Sequence, residues 1–248
     1  MYVSGNRLLD ALPAHDRTGL DLQVEIVTLP ANTSTHTVGA LVAYVDFPIN
    51  AVLSVVALFE NGDSVEVGTV GSEGFVESDA ALSSPRAQRS SFCQVRGDVG
   101  RMRIEHFASR MTASATFAQL MRRNVRATLF SAQQFAACNA KHSVLQRCAR
   151  WLSMTEDRVG GASFTLTHEL LAIMLGVRRS SVSESADALQ KMGAIVYRRG
   201  AITVLDRALL HATTCECYAA CKAAFATSLS AEPLNSGEAR EPNEAALR

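Results

Sequence analysis

Between residues 109 and 137 the sequence contains neither proline nor glycine, and alanine, methionine, arginine and glutamine dominate. Such residues lose little freedom in a helix, so the run predicts one long helix. Ala118, Met121, Val125, Leu129, Ala132 and Ala136 trace a stripe at i, i+3 or i+4, and Phe117, Leu120, Ala127, Phe130 and Phe135 lie beside it. This apolar surface is wider than one packing contact needs. It suits a helix that packs on its own domain and on a second copy of itself, with Phe117, Met121, Val125, Leu129 and Ala132 at the dimer interface. The other reading is a helix buried within one large domain.

The sequence before this helix has a different texture. Residues 6–12 read as a short lead helix stopped by Pro13. Leu22, Val24, Ile26 and Leu29 alternate roughly, as a first strand closed by Pro30 would. From Leu41 the runs LVAYVDFP, AVLSVVALF and SVEVGTV are β-rich, and Asn61-Gly62 separates the last two. Both residues tolerate positive φ, which makes the pair a hairpin signal. Phe92, Val95, Val99, Met102 and Ile104 supply two further strands. Many short strands joined by turns argue for an antiparallel jelly roll or barrel.

After the long helix, residues 138–143 read as a hinge. Val144, Leu145, Cys148, Trp151 and Leu152 begin another amphipathic helix that ends near Gly160-Gly161. Residues 164–193 then give a short apolar helix with Leu170, Leu171, Ile173, Met174 and Leu175, a glycine at Gly176, and a second helix with Val182, Ala186 and Leu189 at helical spacing. The start of the second helix is polar and basic. Helix, glycine turn and polar helix is a helix-turn-helix pattern. Residues 195–204 form a compact hairpin with a basic tip, the position of a wing. A last helix runs from Asp206 to about Leu229.

With barrel, long helix, hinge, helix-turn-helix and wing in this order, the chain resembles the Crp/Fnr family of bacterial transcription regulators. The residues that carry the resemblance are Thr167-His168-Glu169, Gly176, Arg179-Ser180-Ser181-Val182, Tyr197-Arg198-Arg199-Gly200, and Phe47-Pro48 in the barrel. It implies an α+β chain with a cyclic-nucleotide-binding-like effector barrel over residues 1–107 and a dimerisation helix and hinge over 108–138. A winged helix-turn-helix covers 139–229 and a disordered tail 230–248. The implied partners are double-stranded DNA, a second copy of the chain, RNA polymerase if the protein activates, and a small-molecule effector.

The second helix of the pair is the one that enters the major groove. Arg179 matches the family's base-reading arginine, and arginine can bridge guanine O6 and N7 with two hydrogen bonds. Arg178 precedes it; Ser180, Ser181, Ser183 and Glu184 follow on the same element. Glu184 can accept from cytosine N4 but repels phosphate. The family often places a glutamate after the reading arginine and an arginine near the position of Glu184, so this chain departs at both places. Arg198 and Arg199 on the wing, with Thr167, are candidate phosphate contacts.

The family's cyclic-nucleotide members carry Gly-Glu followed by Arg-Ser in a phosphate-binding cassette. Here Arg89-Ser90 stand at the second pair, while Glu77-Ser78 occupy the first. A carboxylate in the glycine's place blocks close backbone approach and repels phosphate. Cyclic nucleotide binding is therefore not expected, although Glu77, Ser78, Arg89 and Ser90 remain the effector-site candidates. An iron–sulfur cluster is not expected either, because the first cysteine is Cys93.

Six scattered cysteines make no paired framework and read as free thiols. His211-x3-Cys215-x-Cys217-x3-Cys221, like Cys138 and His142, reads as small residues packing helices, so no metal is expected. No nucleophile and base are spaced for catalysis. A jelly roll can also be a cupin-like metal-dependent enzyme, but His36 is the only histidine among the strands and their turns, too few for a ligand cluster. A protein-interaction module that retains a winged helix is the third reading. Net charge is zero with 48% hydrophobic and 19% charged residues, which excludes wholesale disorder and a generally polybasic surface. No apolar run reaches the roughly 18 residues needed to cross a bilayer. The polar start lacks a secretory pattern, and the expected location is cytoplasmic.

Overall fold

The computed structural model describes residues 4–82 and 84–230. Of the expected tail over 230–248, all but Ser230 lies outside the described residues. The chain opens with two single-turn helices, α1 (Arg7–Asp10) and α2 (Ala14–Arg17). Asn6 is fully buried and caps α1, its Oδ1 accepting from the amides of Leu8 and Leu9. Its amide nitrogen donates to the carbonyls of Pro48 (2.7 Å) and Gly74 (3.0 Å), which ties the first turn to the barrel behind it.

The barrel is built from β1 (Val24–Leu29), β2 (Ser34–His36), β3 (Tyr44–Pro48), β4 (Val52–Leu58), β5 (Ser64–Val70), β6 (Ser90–Val95) and β7 (Gly97–Arg103). All pairings are antiparallel, in two sheets ordered β1-β7-β3 and β2-β6-β4-β5. Leu29, Leu53, Val70, Val76 and Val99 fill the space between them. The β4–β5 hairpin forms around Asn61-Gly62, but only Gly62 takes a positive φ. Gly62 donates to the carbonyl of Phe59, while the Asn61 side chain accepts from the amide of Asp63. The asparagine thus serves through its side chain and not through a left-handed backbone.

Two helices stand where one long helix is expected. Ile104, expected to end a strand, begins α3 (Ile104–Ala113), and α4 (Ala115–Lys141) follows a break at Ser114. Ser114 is extended, its Oγ accepts from the amide of Phe117, and it donates to Asp16 at 2.6 Å. A serine that can cap offers the backbone an alternative to continuing the helix. Phe107 packs on Phe47 and Phe75, and past the bend Phe117 packs on Phe107, with ring centroids 5.6–6.5 Å apart.

That packing corrects the interface expectation at two positions. Phe117 and Met121 are enclosed in the chain's own core beneath the barrel and leave no surface for a partner. Val125 is half-buried, whereas Leu129 and Ala132 stay exposed.

The C-terminal part runs α5 (Val144–Val159), β8 (Ser163–Thr165), α6 (His168–Leu175), α7 (Arg179–Lys191), β9 (Ile195–Arg198), β10 (Ala201–Val204), α8 (Arg207–Ala212) and α9 (Cys217–Leu229). Ser143 and Gln146 start α5 with a reciprocal capping box. The last helix is again two, because Thr213 and Thr214 donate their hydroxyls to the carbonyls of Leu209 and His211 and end the first. One apolar core joins α5, α6, α7 and the β8-β10-β9 sheet around Leu152, Leu171, Val182, Leu189, Ile195 and Ile202.

Buried polar contacts fasten this part to the barrel. Arg158 of α5 donates to Glu73 (2.7 Å) and to Thr69 (2.9 Å), with both charged side chains under a tenth exposed. Gly71 lets them meet: a Cβ there would lie 2.5 Å from Arg158 Cγ. Trp151 donates to Glu66 at 2.8 Å. Removing one member of a buried pair strands the other charge, so Arg158→Met is expected to lower the unfolding free energy by about 3–5 kcal/mol. Urea titration checks this; a loss below about 1 kcal/mol would show that the pair does not hold the two parts together.

Candidate nucleic-acid interface

Thr167 is exposed, and its hydroxyl accepts from the amide of Leu170, capping α6. At the other end Gly176 (φ 61°) adopts the left-handed conformation. Its amide reaches the carbonyl of Ile173, and Val177 reaches that of Ala172, the double bond of a Schellman stop. The chain can then turn sharply into α7. Leu171, Met174 and Leu175 of α6 bury against Val182, Ala186 and Leu189 of α7, which leaves the first turn of α7 outside.

Arg178 stands at the N-cap of α7 and Arg179 is its first residue. Both are exposed, as are Ser180, Glu184 and Asp187. No acidic residue occupies the first turn, so its unpaired amides and two guanidiniums present one positive end. Arg179 is 71% exposed and lies 3.9 Å from Glu169, a surface pair too loose to tie it down. Ser181 is half-buried and its carbonyl accepts from Ser185. Ser183 is also half-buried, and its hydroxyl lies 3.0 Å from His168 Nδ1.

His168 carries part of the family resemblance but is not among the site residues expected from the sequence. Its ring stacks on Tyr197, with centroids 4.2 Å apart, while Nδ1 meets Ser183. It therefore links the start of α6, the middle of α7 and the wing. Burial first, and the Arg179 charge second, push its pKa below the usual value. Gln190 accepts from the amide of Tyr197 at 2.9 Å, a second tie between α7 and the wing. At the wing tip Arg198 pairs with Ala201, leaving a two-residue turn in which Arg199 (φ 51°) and Gly200 (φ 80°) are both left-handed. This is the turn geometry whose twist suits a hairpin. Arg198 and Arg199 are exposed.

A cavity of about 490 Å³ lies between the barrel and α4. Glu77, Ser78 and Arg89 line it beside apolar groups that include Val70, Phe75, Leu129 and Phe135. Ser90 instead accepts from the amide of Val38. Glu77 sits at φ 69°, a conformation that glycine adopts freely and glutamate rarely. Burial, then Asp79 and Asp46, push its carboxyl up to about 7. One oxygen lies 3.5 Å from His36 Nδ1 and the other has no hydrogen-bond partner. His36 Nε2 donates to the carbonyl of Tyr44, which leaves Nδ1 to accept from Ser91.

Residues 146–213 match the model of the Crp-like helix-turn-helix domain. The chain carries a Crp-like helix-turn-helix domain. Over about three quarters of its length the fold is shared with solved structures that include a CRP family regulator. FixK2 from Bradyrhizobium japonicum superposes with a TM-score of 0.64 at 13% identity, covering 77% of this chain and 98% of that one. A CRP family transcriptional regulator from Thermus thermophilus gives 0.63 at 17%, covering 75% and 95%. The c-di-GMP responsive global regulator CLP of Xanthomonas campestris gives 0.60 at 16%, covering 78% and 100%. No curated protein matches the chain. The family match is to a helix-turn-helix domain, and the structural likeness is one of fold. Among the described residues, two groups of side chains lie close enough together to hold a metal ion: Cys138, His142, Cys215 and Cys217, and Glu156, Asp157 and His211.

The joint beside this Crp-like domain holds a buried carboxyl. Glu66 turns its carboxylate onto Trp151 and Ser54, and burial pushes it up to about 7 from 4.5. A carboxyl whose pKa rises on folding takes up a proton, so its contribution is full below about 4.5 and is lost as pH climbs to about 7. The double variant Glu66→Gln, Glu77→Gln is expected to lose less stability than the parent across that window. Urea midpoints over a pH series give the comparison, and parallel curves would contradict it.

Proposed function

We propose that the chain is a homodimeric, sequence-specific DNA-binding transcription regulator. The observation that carries this reading is the exposed first turn of α7, with Arg178 and Arg179, next to a wing that exposes Arg198 and Arg199, on a domain matching the Crp-like helix-turn-helix. Arg179 would read guanine through two hydrogen bonds, and Ser180 and Glu184 would meet neighbouring bases along the exposed face. Thr167 and the wing arginines would contact phosphates and set the register. The Ser183 hydroxyl, engaged by His168, serves orientation of α7 more than readout, and Ser181 lies behind the exposed stripe.

The dimer reading rests on the second half of α4. Leu129 is 58% and Phe130 39% exposed, and Ala132 and Ala136 add small exposed groups that let a second helix approach. Val125 borders this face. In this reading residues 1–107 form the effector barrel, 108–138 the dimerisation helix and hinge, and 139–229 the DNA-binding domain of a cytoplasmic protein. An activator would also contact RNA polymerase. Glu77 inside a largely apolar cavity suits an uncharged or weakly polar effector better than a phosphate, and the cyclic nucleotide and iron–sulfur readings stay disfavoured.

Fluorescence anisotropy on DNA from upstream of its own gene tests the proposal. Affinity should fall steeply with salt as counterions return to the phosphates. Arg179→Ala should relax discrimination at one base pair by about 1–3 kcal/mol, while Arg198→Ala with Arg199→Ala weakens all sequences alike. Binding insensitive to salt would contradict the DNA reading.

A further inference from the structure

Four side chains from two distant parts of the sequence converge where α4 ends. Cys138 lies in the last turn of α4 and His142 caps that helix, four residues on and so on the same side. Cys215 comes from the segment between α8 and α9, and Cys217 is the first residue of α9, which packs along α4. One ligand atom from each lies within 4.8 Å of all the others. Cys138 Sγ lies 3.5 Å from Cys215 Sγ, and Cys217 Sγ lies 3.6 Å from His142 Nδ1.

Those separations are compatible with a metal site. A tetrahedral zinc ion holds sulfur at about 2.3 Å and nitrogen at about 2.0–2.1 Å, which sets its donors roughly 3.5–3.8 Å apart. The surroundings are also those of a ligand set. His142 presents Nδ1 to the cluster while its Nε2 lies 3.2 Å from Glu216, the carboxylate partner that orients a metal-bound imidazole. Gln134 donates to Cys217 Sγ at 3.1 Å, as it would to a thiolate. Three thiolates and a neutral imidazole leave one net negative charge around a divalent ion, and the Arg150 guanidinium lies close enough to Cys138 to act on it electrostatically. The second dense group, Glu156, Asp157 and His211, is already neutralised by Arg207 and Lys222.

We propose that Cys138, His142, Cys215 and Cys217 form a four-coordinate zinc site that staples the end of the long helix to the C-terminal helix. Sulfur with imidazole selects zinc over magnesium or calcium, and a closed set of four protein donors is structural and not catalytic. Binding releases the three thiol protons to solvent. The staple sits on His142-Ser143, the junction from α4 to α5, so it fixes where the DNA-binding domain starts relative to the helix. Linear spacing hid the site: on a continuous helix Cys215 and Cys217 point apart, but the chain is not helical at Cys215.

The test uses the full chain, purified under reducing conditions, stripped with a chelator and reloaded with zinc or cobalt. The expected result is one zinc per chain by elemental analysis. Cobalt should give a thiolate charge-transfer band and the intense d–d absorption of a tetrahedral ion. Cys138→Ser should lose the stoichiometric metal, and Cys93→Ser, in the barrel, should retain it. Because Cys138→Ser also perturbs a buried contact, His142→Gln provides the decisive variant: it lies at the edge of the cluster and should shift the cobalt d–d bands while the chain stays folded. Substoichiometric zinc with only weak octahedral cobalt absorption would overturn the proposal. So would a cobalt spectrum unchanged in His142→Gln, or a Cys138–Cys215 disulfide as the stable state of the chain when zinc is present.

Discussion

A buried guanidinium needs partners for its charge and its N–H groups, and at Arg158 those partners lie across the joint between the two halves of the chain. Arg158 lies on the last turns of α5, and its partners Glu73 and Thr69 belong to the end of β5 and the segment after it. Ionic hydrogen bonds are directional, so the contact fixes how α5 lies on the barrel. Helix α5 in turn carries the core on which α6 and α7 pack. The placing of α7 thus depends, through the packing of α5, on contacts with the barrel that include this charge pair and the Trp151–Glu66 hydrogen bond.

The same joint borders the barrel cavity. Thr69 and Arg158 are part of its wall, together with Glu77 and Arg89 from the barrel and Leu129 and Phe135 from α4. An occupant of that space would touch the barrel, the long helix and the charge pair at once. Differential contact of this kind is the physical requirement for a ligand to shift one arrangement toward another. Glu77, whose backbone is left-handed at φ 69° and whose carboxyl has one unpartnered oxygen, is a point in the wall where such an occupant would be distinguished by charge.

Much of the architecture is legible in the sequence because it rests on local rules. Thr167 and Gly176 bracket a short apolar helix, one supplying the cap and the other the left-handed stop. Most barrel strands follow from β-rich runs cut by turn residues, but β2 lies in a polar stretch, residues 32–37, that reads as a turn. What the sequence hides depends on competition or on distance. Ser114, Thr213 and Thr214 look like tolerable helix residues until their hydroxyls find caps and carbonyls. Phe117 and Met121 share a stripe with Leu129, and only the packing of the barrel shows that the first two point inward. The His168–Tyr197 stack and the meeting of Cys138 and His142 with Cys215 and Cys217 join residues dozens of positions apart, which no periodicity reveals.

The central claim is that two copies of one recognition helix read DNA together. Selection of bound duplexes from a random-sequence pool measures this without a chosen target. A dimer with α7 in successive major grooves should enrich an inverted repeat, with half-site centres about one helical turn, or roughly 34 Å, apart and a guanine in each half-site within reach of Arg179. Enrichment of a single asymmetric half-site, or no enrichment over the starting pool, would contradict it.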